Sequence, residues 1–322
     1  MARRIVSFLP SATEMVYALG LDEQLLGVSH ECDYPAGARS KPIVVRNALP
    51  VEKMTQREID VAVSARLREG GSLYEVDETK LRELSPDLIL TQDLCQVCAP
   101  SGNEVTRVLA QICPKPDVLW LTPRTIEQIF DNLRQIAQAT GTQPRAEHLV
   151  AEARARLQAL RARADAAAAR PRVFCMEWLD PVYCSGHWVP EMVALAGGQD
   201  SLGGLGTDSV RIDWRDVLSW APEILIVCPC GFDLAGAIEQ AGLLAALPRW
   251  EQLPAIRTGR TYAVDASAYF ARPGPRVVEG AALLAHLIHP EIFEWDGPPQ
   301  AFRRLDAADI RAASTQVCIP AE

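Results

Sequence analysis

The sequence predicts an α/β protein built as two Rossmann-like lobes with parallel sheets, joined by one long backbone helix. Three observations predict it. First, the segment 144–170 holds no glycine and no internal proline, and its Leu149, Val150, Ala153, Leu157, Leu160 and Ala164 recur at three- and four-residue steps. They make one narrow apolar stripe of a helix, with Arg154, Arg156, Arg161 and Arg163 largely outside it. Pro144 suits a first helical turn and Pro171 ends the pattern. At ~1.5 Å per residue the helix runs about 40 Å, enough to connect two domains. Second, short β-type runs alternate with helical patterns on both sides of this segment, as in parallel α/β layers. Third, Ser85-Pro86-Asp87-Leu88-Ile89-Leu90-Thr91 recurs 136 residues later as Ala221-Pro222-Glu223-Ile224-Leu225-Ile226-Val227. Each is a helix end, a proline–acid turn and a buried strand, followed by cysteines, which argues for a duplicated lobe. The expected division is an N-terminal lobe at 1–143, the connecting helix at 144–170, a C-terminal lobe at 171–290, and an extension with little regular pattern at 291–322.

Composition bounds the function. The chain has 322 residues, 48% hydrophobic and 23% charged, which suits a globular protein of about two domains with a sizeable core. A net charge of −9 argues against a nucleic-acid or anionic-membrane partner, because both need a basic face. No apolar run approaches the ~20 residues of a membrane span, so membrane insertion is not expected. Arg3 and Arg4 precede a run, 5–9, that is shorter than the roughly 7–15 residues of an export signal's apolar region. Nine cysteines, an odd number, suit a reducing compartment. The location expected from these features is cytoplasmic.

In chain order, 4–9 is the first strand, and Ser11 with Glu14 makes a capping box that starts a helix near Ala12, closed by Gly20. Leu25–Ser29 is the next strand and delivers His30, Glu31 and Cys32 at its carboxyl end. The stretch 77–84 reads as helix, and Leu88–Thr91 as a buried strand leading to Gln92 and the Cys95-Gln96-Val97-Cys98 motif. Ser101 with Glu104 opens a further helix to Ile112, and 118–121 is a strand. Ile126, Ile129, Phe130, Leu133, Ile136 and Ala137 mark an amphipathic helix closed by Gly141. Past the long helix the plan repeats: strand 172–176, helices 191–196 and Trp214–Trp220, the second proline–acid strand, helix near 234–246, strand Thr261–Val264 and helix 276–288.

Further residues sharpen the picture. They are Leu9-Pro10-Ser11-Ala12-Thr13-Glu14, Gly27-Val28-Ser29 with Asp33-Tyr34-Pro35, Tyr183 with Ser185-Gly186, Trp250 with Leu253-Pro254, Gly259-Arg260, and Arg272 with Pro275-Arg276. In this order and spacing, over roughly 3–290, they resemble the helical-backbone (class III) substrate-binding proteins of ABC transporters, of the vitamin B12 (cobalamin)-binding type. The resemblance implies a helix that keeps two lobes nearly fixed, a ligand in the cleft between them, and a binding role, not an enzymatic one. It implies that Arg272, which matches a ligand-contacting arginine, and Tyr269, one turn before it, serve a corrinoid. The positions where exported members carry permease-docking glutamates are Thr79 and Arg215, beside Glu78 and Asp216, so docking on a permease is not expected. The positions of corrin-packing aromatics are Glu31 and Gln92.

Ligands gather at the carboxyl ends of parallel strands, and Cys32, Cys95, Cys98, Cys228 and Cys230 fall there, with His30, Cys184 and His187 in nearby loops. The Cys-x-x-Cys and Cys-x-Cys spacings let two sulfurs reach one soft metal at ~2.3 Å, and two pairs would complete a tetrahedral site. Buried packing is the alternative for every thiol, and the expected state of Cys113, Cys175 and Cys318. Glu177 and Trp178 either line the cleft or pack. The sequence has no nucleophile elbow, no phosphate-binding glycine loop, no Gly-x-Gly-x-x-Gly after a strand and no His-Glu-x-x-His. The pair Cys95 and Cys98 before a helix start leaves thiol–disulfide exchange as a minor alternative. The reading is a ligand-binding protein that holds cobalamin, another corrinoid or a related metal-containing ligand. The second reading is a cleft whose thiols hold zinc or an iron–sulfur cluster.

Overall fold

The computed structural model describes residues 3–51, 54–69, 72–92 and 114–315. The chain divides into two compact units, Met1–Pro123 with Glu127–Ala151, and Arg124–Ile126 with Glu152–Glu322. The expected helix Ser101 to Ile112 and the cysteines Cys95, Cys98, Cys113 and Cys318 lie outside the described residues.

The first unit is built on strands β1 (Ile5–Ser7), β2 (Leu25–Ser29), β3 (Ile43–Asn47), β4 (Tyr74–Val76), β5 (Leu88–Thr91) and β6 (Asp117–Trp120). They lie in the order β4-β3-β2-β1-β5-β6, all parallel except β4, which pairs antiparallel with β3. Central β1 and β5 are buried along their whole length, as expected for apolar runs covered on both faces. Helices α1 (Pro10–Ala18), α2 (Gln56–Arg68), α3 (Glu78–Leu84) and α4 (Ile126–Thr140) accompany the sheet. Gly27 in β2 lets α3 approach, since a Cβ there would stand 2.8 Å from Leu84 Cδ1. The predicted apolar face of α4 is buried at all six positions. The start of α1 differs from expectation. Leu9 is the N-cap with no side-chain bond, while Ser11 and Glu14 are buried inside the first turns, so Ser11 cannot cap.

The long helix α5 is Gln143–Asp165, not 144–170. Ala146, Val150, Leu157, Leu160 and Ala164 bury its stripe, whereas 166–170 has almost nothing to bury and leaves the helix in a tight turn, Ala166 N–H to Arg163 O and Ala167 N–H to Ala164 O. Without an apolar contact, good helix formers alone do not extend the last turn. The boundary between the units falls inside this helix, at Ala151 and Glu152. Its first half is tied to the first unit by Glu147, which accepts from Arg134 at 2.8 Å, and its second half to the second unit by Arg156 and Glu279 at 2.7 Å.

The second unit holds β7 (Val173–Leu179), β8 (Val182–Cys184), β9 (Ile224–Val227), β10 (Thr261–Val264) and β11 (Phe302–Leu305) in the order β11-β10-β9-β7-β8. The three inner strands are parallel, and the edges β8 and β11 are antiparallel. Its longer helices are α6 (Val189–Leu195), α7 (Trp214–Trp220), α8 (Leu234–Ala241), α9 (Val277–Ile288) and α10 (Ala307–Ser314). The segment 291–322, read above as an extension with little regular pattern, is corrected here. β11 pairs with β10 from Thr261 with Leu305 to Val264 with Phe302, and Ile310 of α10 is fully buried in the unit's core. Two exposed arginines, Arg303 and Arg304, hide the strand signal, and α10 starts on a capping box whose third-position acid is Asp309.

The repeat extends to the caps. α3 and α7 each have seven residues, begin on an aspartate whose side chain accepts a backbone N–H (Asp77 from Lys80, Asp213 from Arg215), and end on a left-handed residue before proline, Ser85 and Ala221.

Candidate ligand-binding site

At the carboxyl edge of the first unit's sheet, β2 delivers His30, Glu31 and Cys32, and β5 delivers Gln92. The backbone N–H of His30 donates to Val45 O at 3.0 Å, and its Nδ1 lies 3.3 Å from the same oxygen and 3.4 Å from Ser29 Oγ. Its Nε2 has the Glu31 carboxylate at 4.0 Å, beyond hydrogen-bond reach. The side chains of His30 and Glu31 are partly exposed, whereas Gln92 is buried. Cys32 does not serve the edge as expected. It is 3% exposed and its sulfur accepts from the Thr13 hydroxyl at 3.1 Å, under α1.

The second unit's carboxyl edge starts from Glu177 and Trp178 near the end of β7. The Ser209 hydroxyl and the Gly186 N–H donate to the Glu177 carboxylate, yet burial outweighs them and pushes its pKa up to about 7. Trp178 is half-buried and pairs with Tyr183 of β8 in the sheet register. Beyond β9, Cys228 is buried with its sulfur 3.6 Å from Met176 O, and Cys230 is partly exposed, its N–H donating to Glu177 O at 3.2 Å. Cys175 hydrogen-bonds to Cys228, and that bond together with burial holds the Cys175 thiol well above the usual range, so it stays protonated. After β10, Tyr269 is 9% exposed and packs edge-on against Trp295 at 5.9 Å, one more contact that the C-terminal segment supplies. Arg272 is partly exposed, and with Arg276 it offsets part of the rise that burial imposes on Asp265.

Among the described residues no group of three or more His, Cys, Asp or Glu side chains is placed to hold a metal ion. The expected thiolate cage is therefore not assembled from Cys32, Cys228 and Cys230, and Cys95 and Cys98 lie outside the described residues.

The sequence also carries no sign of how the loop 200–211 packs in this unit. Asp200 Oδ1 accepts the N–H groups of Leu202 and Gly203, and Oδ2 accepts from Ser185. Asp208 binds His187 Nε2 at 3.1 Å and Arg124 at 2.9 Å. His187 thus has its Nε2 engaged, and burial lowers its pKa. Gly186 permits the loop to close, because a Cβ there would fall 2.5 Å from Ser209 N. An Asp followed by Gly at its third position signals the turn at Asp200, but no local pattern announces Ser209 as the partner of Glu177. The loop leaves Leu205 and Val210 exposed at 59% and 52%.

Comparison with known proteins adds four findings. A family model described as "Periplasmic binding protein" matches residues 5–268. The chain is 23% identical over 278 residues to the vitamin B12-binding protein of Vibrio vulnificus (strain CMCP6), covering 85% of this chain and 86% of that one. It is 22% identical over 300 residues to the uncharacterized ABC transporter substrate-binding lipoprotein YvrC of Bacillus subtilis (strain 168), covering 91% and 82%. A periplasmic heme-binding protein from Pseudomonas aeruginosa shares its fold with a TM-score of 0.69 at 20% identity, covering 93% and 97%. These findings overturn the cytoplasmic expectation and point to a place outside the cytoplasm. The run at 5–9 is β1 with the turn into α1, so its length carries folding information and no address. Four of the five described cysteines are buried, so they are shielded from oxidants and their odd number does not report the compartment.

Proposed function

Because the chain belongs to the periplasmic binding protein family, a family of substrate-binding proteins and not of enzymes, we propose that it captures a corrinoid outside the cytoplasm for delivery to an ABC permease. The observation that carries the reading is the similarity to a vitamin B12-binding protein along 85% of the chain. The partly exposed groups at the carboxyl edge are His30 and Glu31 in the first unit and Trp178, Cys230 and Arg272 in the second, and each set is a candidate for ligand contact within its own unit. Arg272 supplies donors for the amide and phosphate acceptors that fringe a corrinoid. Trp178 supplies an apolar surface for the ring.

A second reading, a heme in place of the corrinoid, is favoured by the fold shared with heme-binding structures. A zinc or iron–sulfur role for the thiols has no such support, since the described cysteines are mostly buried and one is held protonated. For delivery, Thr79 and Arg215 are exposed second residues of α3 and α7, and the neighbouring Glu78 and Asp216 take the place of docking glutamates.

The test is a competition. The purified protein is mixed with equal amounts of aquocobalamin, ferric heme and zinc, freed of unbound material by gel filtration, and its metals are counted. Retained cobalt is the expected result, and retained iron selects the second reading. Zinc alone, or no metal, would contradict both.

A further inference from the structure

We infer that His30 is an axial donor, its Nε2 coordinating the metal of a tetrapyrrole that arrives with an exchangeable axial position. Nδ1 lies 3.3 Å from Val45 O and 3.4 Å from Ser29 Oγ; the carbonyl can only accept and the hydroxyl can accept as well as donate, so a proton on Nδ1 is the assignment that satisfies both contacts. The neutral ring then has its lone pair on Nε2. A histidine whose Nδ1–H is tied to a backbone carbonyl is the arrangement that fixes tautomer and ring orientation at metal centres.

The ring is also held in place. The His30 N–H donates to the same Val45 oxygen at 3.0 Å, so main chain and side chain share one anchor on β3. Nε2 has no hydrogen bond among the described residues, and its nearest charged group is Glu31 at 4.0 Å. The side chain is 24% exposed, which leaves the nitrogen reachable without leaving the ring loose. Its position just past the carboxyl end of β2 is where ligands of parallel sheets collect.

The other four histidines lack this combination. His187 has its Nε2 on Asp208, and His289 is buried between Gly197 O and Glu291. His286 has its Nδ1 on Phe293 O, but it lies on α9 with its ring against Phe302, and His148 is exposed on α5. Neither follows the end of a strand. Cys32, two residues after His30, is already engaged by Thr13 and buried.

Coordination is a simple exchange. The Nε2 lone pair forms a bond to the metal, a bound water leaves, and neither the oxidation state nor any proton changes. The inference rests on the proposed tetrapyrrole ligand and narrows it to forms with an open or water-filled axial site. Aquocobinamide and ferric heme are such forms. Cyanocobalamin, with cyanide on one face and its own base on the other, is not.

The experiment is a visible-absorption titration of wild-type protein and of His30→Ala with aquocobinamide, ferric heme and cyanocobalamin. Wild type is expected to shift the absorption bands of aquocobinamide, ferric heme or both, and the responding probe identifies the metal source. His30→Ala should bind that probe at least about tenfold more weakly and without the shift, and added imidazole should restore the shift. Cyanocobalamin should give no band shift with either protein. An identical shift in His30→Ala and wild type, or tight binding by wild type with no shift for any probe, overturns the axial role and leaves the proposed function standing. Failure of wild type to bind all three overturns both.

Discussion

Ser209 and Glu177 are joined across 32 residues of chain, the serine hydroxyl donating to the carboxylate near the end of β7. The Gly186 N–H donates to the same carboxylate, and no cation is among the groups that set its pKa. Burial therefore prevails, and the carboxyl titrates near pH 7 instead of 4.5. A raised carboxyl pKa means that the folded state binds the extra proton, so the stability it contributes is complete below about pH 4.5 and is lost as pH rises through about 7. The loss is at most roughly 3 kcal/mol. Thermal melts of wild type should fall between pH 5 and 8 more steeply than those of Glu177→Gln, which cannot ionise. Parallel curves for the two proteins would show that Glu177 does not titrate in this window.

Ala221 closes α7 at φ 50°, in the left-handed region where a Cβ is strained. Glycine adopts that conformation without the penalty, so Ala221→Gly should stabilise the protein by about 1 kcal/mol. Its melting temperature should rise by roughly 2–4 °C in calorimetry. Ser85→Gly, at the equivalent cap of α3, should behave alike, and a fall in either variant would show that the β-carbon makes a contact worth more than the strain.

Leu157 is 7% exposed in the middle of α5. Proline there removes a helical hydrogen bond and clashes with the preceding turn, a cost of about 3 kcal/mol or more before the lost packing is added. Chemical denaturation of Leu157→Pro should show at least that loss. A midpoint equal to wild type would mean that the helix contributes nothing to the folded state.

Much of this architecture was legible because its signals are local. The alternation of strands and helices, the stripe of α5 and the paired proline–acid strands all lie within short windows of sequence. The length of α5 was overread, because the alanine run after Asp165 has high helix propensity but no partner to bury against. β11 was missed because an antiparallel edge strand needs only one apolar face, and Arg303 and Arg304 broke even that pattern. Strand ends put His30 and Cys230 at the carboxyl edges of the sheets, and Glu177 falls within β7, near its end. Burial decided the rest: Thr13 covers Cys32, Trp295 packs at right angles to Tyr269, and the loop from Asp200 to Arg211 fastens onto Glu177, none of which has a sequence period.

The docking charges proposed above are Glu78 and Asp216, in the first turns of α3 and α7. Replacing both with lysine should abolish stimulation of the cognate permease's ATPase while ligand affinity is retained. Full stimulation by the double variant would place docking elsewhere on the surface.

Corrinoid binding by this chain is measured by titrating the wild-type protein with aquocobalamin in an isothermal calorimeter. A saturable one-site curve with a dissociation constant in roughly the micromolar range or tighter is expected. A heat signal no different from dilution at all concentrations would contradict it.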